Sequence, residues 1–204
     1  MTGIRKISDL RGAILIGGRS KRMGAPKSML RLRGRFVLER IADAIAPAVG
    51  EIVLIGDAPV PPPMETLPKL PDPPGVEGPA AGILAALRYA PEAWWLAVSC
   101  DLPLISPEAV TWLVEHADLR APAVMPHLEN PRTAEPLFAL YAPTAAGIIE
   151  QAVASGERAP RRMFSRVRIA SPKIPAHLRV AWTNVNTPEE WMSAATVALE
   201  KDTC

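Results

Sequence analysis

The sequence predicts an α/β fold in three layers, a mostly parallel sheet with helices on both faces. Short, wholly apolar runs alternate with segments of helical periodicity along the first half of the chain, and strand–helix–strand units of that kind build parallel sheets buried on both sides. Apolar residues make up 49% of the 204 residues, enough for a sizeable core and too many for a disordered chain. Two further apolar stretches in the second half can close an edge of such a sheet.

The first strand is expected at 12–17, within GAILIG. The segment RFVLERIADAIAPAV follows, with Phe36, Val37, Arg40, Ile41, Ala44 and Ile45 in a helical stripe. EIVLIG at 51–56 and WWLAVSC at 94–100 read as the next buried strands. Between them lie a proline-rich loop from Asp57 to Gly75, either functional or a flexible insert, and a helix from Pro79 to Tyr89. A third helix starts with Ser106 as N-cap, Pro107 at the first helical position and Glu108 at the positive end of the dipole. AVMPHL and EPLFALYAP are the edge strands, with antiparallel pairing open to them. TPEE opens the last helix, Thr187 capping it, Pro188 starting it and Glu190 closing a capping box.

Composition narrows the function. The formal net charge is only +2, and aromatic residues are 5% of the chain. Without an interleaved aromatic and basic platform, nucleic acid is not an expected partner. No apolar run reaches the roughly 18–20 residues of a membrane span, so no membrane is expected either. The charged opening MTGIRKISDLRG does not suit a signal segment, and cytoplasm is the expected location. Cys100 and Cys204 are the only cysteines, too few for a disulfide framework or a zinc ligand set.

In open parallel sheets, ligands bind where strands end at their carboxyl side, near a topological switch point. That rule selects two loops. After 12–17 the chain runs through Gly17-Gly18 into four cations, Arg19, Lys21, Arg22 and Lys27. Neither the Walker A spacing nor G-x-G-x-x-G is present, yet glycines still let backbone N–H groups approach an anion, and lysine neutralises phosphate charge. A solvated turn with ordinary surface cations explains the same residues. After 94–100, Asp101 leaves an apolar strand before Pro103, a position suited to a Mg²⁺ ligand or to a simple turn. The two loops at adjacent strand ends favour the functional reading of both.

The three histidines, His116, His127 and His177, lie outside both loops, and Cys100 reads as a small buried residue. A reaction here therefore needs no strong general base. Phosphoryl or nucleotidyl transfer to an ionised phosphate meets that condition, because positioning and charge neutralisation do most of the work.

The motif LIGGRSKRMGAPK resembles the L-A-G-G-x-S-x-R-M-G-x-x-K signature of the molybdenum cofactor guanylyltransferases, MobA-like members of the nucleotidyltransferase superfamily. DPPGVEGPAAGILAAL, CDLP, RTAEPLFALY and TNVNTPEEW are similar to further family segments, in order, from Leu15 to Trp191. The resemblance implies a single Rossmann-like nucleotidyltransferase domain over 1–204, with a nucleotide-binding half at about 10–105 and an acceptor-binding half at about 106–200. It implies transfer of GMP from Mg-GTP to the terminal phosphate of molybdopterin, with release of pyrophosphate. Leu15, Ile16, Gly17 and Gly18 would lie along the nucleotide, Lys27 at the triphosphate, Asp72 on the nucleotide, and Asp101 on Mg²⁺. Arg22, Gly82, Asn184 and Asn186 would fall on the acceptor side, the two asparagines flanking the last strand. Lys27, Asp101 and Arg22 would carry the chemistry. A monomer is expected, with apo-molybdoenzymes and their chaperones as recipients of the product.

ERAPRRMFSRVR adds Arg158, Arg161, Arg162, Arg166 and Arg168. Arg162 and Arg166 would share a helix face, and guanidinium forks match phosphate; Arg161 or Arg162 is the expected contact to the acceptor, the rest a solubilising face. Three departures from the family pattern bear on base recognition: Ile16 in place of alanine, which would line the nucleotide with a larger side chain, Gly56-Asp57 after the second strand, and the long proline-rich loop. A cytidylyltransferase of the same cofactor is the nearest alternative, and relatives of that kind read L-A-A-G where this chain has paired glycines. A catalytically silent GTP-binding relative is another, against which Lys27 and Asp101 stand together.

Overall fold

The computed structural model describes residues 7–17 and 24–201. A six-stranded sheet organises the chain. Its strands are β1 (Leu10–Leu15), β4 (Ile52–Ile55), β5 (Lys69–Leu70), β6 (Trp94–Ser99), β7 (Ala123–Val124) and β8 (Phe138–Tyr141), while β2 (Arg31–Leu32) and β3 (Arg35–Phe36) form a small hairpin apart from it. The order across the sheet is β5-β4-β1-β6-β8-β7. β5, β4, β1 and β6 run parallel, and β8 joins β6 antiparallel, with β7 antiparallel at the edge.

Strand alternation explains the layers. Leu10, Ile14 and Ile16 face one side with Leu54, Leu96 and Val98. Ala13 and Leu15 face the other with Val53, Ile55, Trp95 and Ala97. The first face is covered by α1 (Val37–Ile45), α3 (Pro107–Glu115) and α6 (Pro188–Lys201), the second by α2 (Pro79–Tyr89), α4 (Ala145–Ala154) and the short α5 (Pro160–Met163). This is the three-layer fold the sequence predicts. Helix α1 buries Val37, Leu38, Ile41, Ala44 and Ile45 and gives way to a 3₁₀ turn at Ala46–Ala48, where Pro47 has no N–H to continue it.

The caps follow the sequence closely. The Ser106 hydroxyl accepts from Ala109 N at 3.3 Å. At α6, Thr187 Oγ1 accepts from Glu190 N at 3.2 Å, and Glu190 Oε2 accepts from Thr187 N at 3.2 Å.

Elsewhere the structure differs from expectation. The first ladder begins at Leu10, and Ile16 N still donates to Ile55 O at 2.8 Å beyond its end. The proline-rich segment is not a flexible insert: it buries Met64, and Lys69–Leu70 pairs with β4 as the edge strand, an edge being where prolines are tolerated. AVMPHL contributes only the two residues of β7, since Pro126 cannot donate. No strand lies between Asn184 and Asn186; Val185 N donates to Asp101 O at 2.9 Å instead of to a ladder. Helix α5 ends at Met163, and Ser165 N→Arg162 O and Val167 N→Phe164 O turns replace its next turn. Arg166 therefore does not share a helix face with Arg162; burying Phe164 (2% exposed) turns the chain inward.

Candidate active site

β1 and β6 are neighbours at the centre of the sheet, and the chain leaves them toward opposite flanks. β1 connects through α1 to β4 on one side, and α2 carries the chain back past β1 to β6 on the other. Their carboxyl ends mark the topological switch point.

Asp101 stands two residues beyond β6, where Cys100 N donates to Leu15 O at 3.1 Å and so holds the two strand ends together. Lys27 opens a 3₁₀ turn that buries Ser28, and its ammonium lies 3.5 Å from Asp101 Oδ2. It also donates to Asn186 Oδ1 at 2.6 Å. The Lys27 and Asp101 side chains are each only 16% exposed, so their charges are felt more strongly than at an open surface. Asp101 Oδ1 is buried and, among the described residues, has no hydrogen-bond partner. A buried carboxylate oxygen with unused acceptor capacity fits a hard divalent cation. Among the described residues no group of three or more His, Cys, Asp or Glu gathers at a metal-binding distance; one carboxylate completed by water and phosphate oxygens is the pattern Mg²⁺ takes.

Beside this cluster is a concave site of about 170 Å³ lined by Leu15, Gly17, Ile55, Asp72, Gly78, Pro79, Gly82, Ser99 and Leu137. Its floor needs small residues. A Cβ on Gly17 would lie 3.2 Å from Asp72 Oδ2, and one on Gly82 would lie 2.8 Å from Leu15 Cδ2 and 3.7 Å from Asp72 Oδ1. Gly56, at φ +120°, packs against Gly17 so closely that a Cβ there would sit 2.5 Å from Gly17 N. The first turn of α2, capped by Gly78 and started by Pro79, opens onto the cavity and presents the positive end of its dipole to an anion. Burial, reinforced by the nearby Asp57 carboxylate, raises the Asp72 pKa. A desolvated carboxylate of that kind gains from accepting hydrogen bonds of a ligand.

The expected residues distribute as follows. Lys27, Asp101 and Asn186 meet in one cluster. Leu15, Gly17, Asp72 and Gly82 meet in the adjoining cavity, so Gly82, expected toward the acceptor, shares a wall with the residues expected to hold the nucleotide. Ile16 corrects one expectation. Its side chain is 2% exposed inside the core, because strand alternation turns it away from Leu15 and the cavity. Only its backbone is left to meet a ligand. Gly18 and Arg22 lie outside the described residues. Asn184 is exposed.

Of the arginine run, Arg158 pairs with Glu77, next to the cavity residue Gly78, and Arg162 pairs with Glu157 at 3.3 Å. The Arg161 charge offsets part of the burial that raises the Glu135 carboxyl. Arg158 and Arg162 are largely exposed, which leaves this group at the rim. Cys100 is buried and its thiol is pushed up to about 12 by burial, with Asp101 adding to the effect; it holds its proton and is no nucleophile.

Sequence reasoning missed Leu137 and Ser99 in the cavity wall and the contact of Gly56 with Gly17. Leu137 carries no chemical signal, being one apolar residue among many. A glycine ending a strand at 56, opposite another at 17, is a signal of close backbone approach that the sequence does offer.

A family model described as the MobA-like NTP transferase domain matches residues 12–172. A probable molybdenum cofactor guanylyltransferase of Pelotomaculum thermopropionicum is 31% identical over 192 residues, covering 92% of each chain. One of Bacillus mycoides is 29% identical over 197 residues, covering 92% of this chain and 96% of the relative. The crystal structure of molybdopterin-guanine dinucleotide biosynthesis protein A from Archaeoglobus fulgidus superposes with a TM-score of 0.75 at 24% identity, covering 93% of this chain and 99% of the other. The 2-C-methyl-D-erythritol 4-phosphate cytidylyltransferase of Thermus thermophilus shares the fold at a TM-score of 0.69 and 16% identity, over 95% and 98% of the two chains. The chain belongs to the MobA-like NTP transferase family and is a nucleotidyltransferase.

Proposed function

We propose that this nucleotidyltransferase acts in molybdenum cofactor maturation, transferring GMP from Mg-GTP to the terminal phosphate of molybdopterin and releasing pyrophosphate. The observation that carries the reading is the convergence of Lys27, Asp101 and Asn186, three residues far apart in sequence, at the switch point beside a glycine-floored cavity. The relatives named as guanylyltransferases, matched over nine-tenths of their length, support the choice of substrates.

In the reaction, an oxygen of the molybdopterin phosphate bonds to the α-phosphorus of GTP. The bond from that phosphorus to the bridging oxygen breaks, and pyrophosphate leaves with that oxygen. The nucleophile is a phosphate monoester, largely dianionic near neutral pH, so no side chain has to remove a proton. Leu15, Gly17 and the Ile16 backbone lie along the nucleoside, with Asp72 accepting hydrogen bonds from it. Lys27 neutralises the triphosphate and orients it for in-line attack. Asp101 would hold the divalent ion, Mg²⁺ by its preference for oxygen ligands, and that ion supplies charge neutralisation at the phosphates when bound. Asn186 and the rim arginines, Arg161 foremost, receive the acceptor.

The test is pyrophosphate release with Mg²⁺ and molybdopterin, run in parallel with GTP, CTP and ATP. Release with GTP alone is expected. Release with CTP instead would replace the guanylyltransferase by a cytidylyltransferase, and binding of GTP without release would make the protein a silent relative.

A further inference from the structure

We propose that Glu190, on the first turn of α6, is a positioning residue that sets Lys27 through Asn186. The inference rests on the reading of Lys27 as the triphosphate ligand. Glu190 does more than close its capping box. Its Oε2 accepts from Thr187 N at 3.2 Å and, at the shorter distance of 2.6 Å, from Asn186 N. Asn186 has little else to fix it. Its residue is exposed, and the chain around it belongs to no strand or helix. The neighbouring Val185 is buried and its N donates to Asp101 O at 2.9 Å, which anchors the segment but not the direction of the Asn186 side chain. The backbone N–H that Glu190 holds fixes where the Asn186 side chain starts, and from there Oδ1 reaches Lys27 Nζ, 2.6 Å away.

The consequence is a continuous line of polar contacts from Glu190 to Asn186 to Lys27, both 2.6 Å, and on to Asp101 at 3.5 Å. A residue expected on the acceptor side thus touches the lysine expected on the nucleotide side. A carboxylate accepting two backbone N–H groups is a strong, charge-assisted anchor, and a flexible lysine loses most from being unanchored.

The experiment is calorimetric titration of the full chain with Mg·GTP. Glu190→Ala is expected to weaken binding roughly tenfold, the effect of misplacing one hydrogen bond to a charged group. Glu190→Asp keeps the charge at the helix N-terminus and shortens the reach by one methylene, so it folds and weakens binding as the alanine variant does. Glu190→Gln, which keeps an acceptor oxygen at full length, recovers binding to within about threefold. Thr187→Ala removes the other half of the same capping box; it lowers the melting temperature while binding stays within about twofold. In a Lys27→Ala background the Glu190→Ala change adds less than about twofold, because coupled residues do not add. Equal losses from Thr187→Ala, or an undiminished loss in the Lys27→Ala background, would overturn the positioning role, as would unchanged binding in Glu190→Ala and Glu190→Asp. Unchanged binding in Lys27→Ala alone marks a different failure, that of the underlying reading of Lys27, and takes the inference with it.

Discussion

Replacing Gly56 by alanine tests whether the cavity floor depends on two backbones in contact. Gly56 follows β4, its N donates to Leu70 O at 2.9 Å, and its φ is +120°. An L side chain in such a sparsely populated region costs about 1–3 kcal/mol. The new Cβ would lie 2.5 Å from Gly17 N and 2.7 Å from Gly17 Cα, and neither atom belongs to a flexible side chain that could swing away. The ends of β1 and β4 must part by about half an ångström, against close packing and against the Ile16 N→Ile55 O bond of 2.8 Å that joins them. Weakening that bond costs up to about 1 kcal/mol. The expected loss of stability is therefore about 1–4 kcal/mol, read by urea unfolding, with a fall in GTP affinity because Gly17 moves. Gly75→Ala is the control: its φ of +77° imposes left-handed strain, but no atom lies within 4 Å of the added Cβ. It should cost only about 1–2 kcal/mol and leave GTP binding unchanged. Equal effects of the two substitutions, or a Gly56→Ala protein of wild-type stability, would refute the reasoning.

Asp101→Ala is expected to abolish Mg-dependent pyrophosphate release while circular dichroism stays native, since the Val185 N→Asp101 O bond uses only the backbone; near-normal turnover would remove Asp101 from the metal role. Arg161→Ala with Arg162→Ala should raise the KM for molybdopterin more than that for GTP, and the reverse pattern would assign the rim arginines to the nucleotide. Cys100 sets a pH dependence. Its thiol, raised from an ordinary 9.0 to about 12 in the fold, stays protonated there while the unfolded chain ionises, so its contribution to stability is present below pH 9 and is lost as pH rises toward 12. The difference in urea stability between wild type and Cys100→Ala should shrink across that interval by roughly 1 kcal/mol per pH unit, and a constant difference would contradict the burial argument.

What the sequence makes legible here is what local physics decides. Apolar runs give β1, β4 and β6, and the Ser106 and Thr187 caps are local hydrogen bonds between residues three apart. Lys27 and Asp101 can be brought together by a general rule, that strand ends at a switch point converge. The contact from Asn186 to Lys27 spans 159 positions, and no rule of local sequence reports it. Prolines hid the edge strand at Lys69–Leu70, since their scarcity of donors reads as loop until a neighbour supplies the other side of the ladder. Arg162 and Arg166 misled for the opposite reason: their spacing is helical, but burying Phe164 outweighs the propensity of so short a helix. Ile16 shows the limit of motif reading. It lies within the nucleotide signature, yet alternation alone sends its side chain into the core.

That alternation also separates what can vary in this site from what cannot. Leu15 faces the cavity and Ile16 the core, so the larger residue at 16 takes no space from the cavity while its N–H still ties β1 to β4. The constraint falls instead on 17, 56 and 82, where added atoms would meet the Asp72 carboxylate, a facing backbone or Leu15. Asp72 itself arrives from the proline-rich segment, carried by the short β5 pairing beside β4. The unusual loop thus holds a carboxylate against two glycines. Base choice should then respond to changes within Asp57–Asp72 more than to changes at Ile16. Shortening the loop while keeping Lys69–Asp72 is expected to alter discrimination between GTP and CTP, measured as the ratio of kcat/KM, whereas Ile16→Ala should lower stability and leave that ratio within about twofold. A ratio that moves with Ile16 and not with the loop would mean that the β1 side chain reaches the base after all.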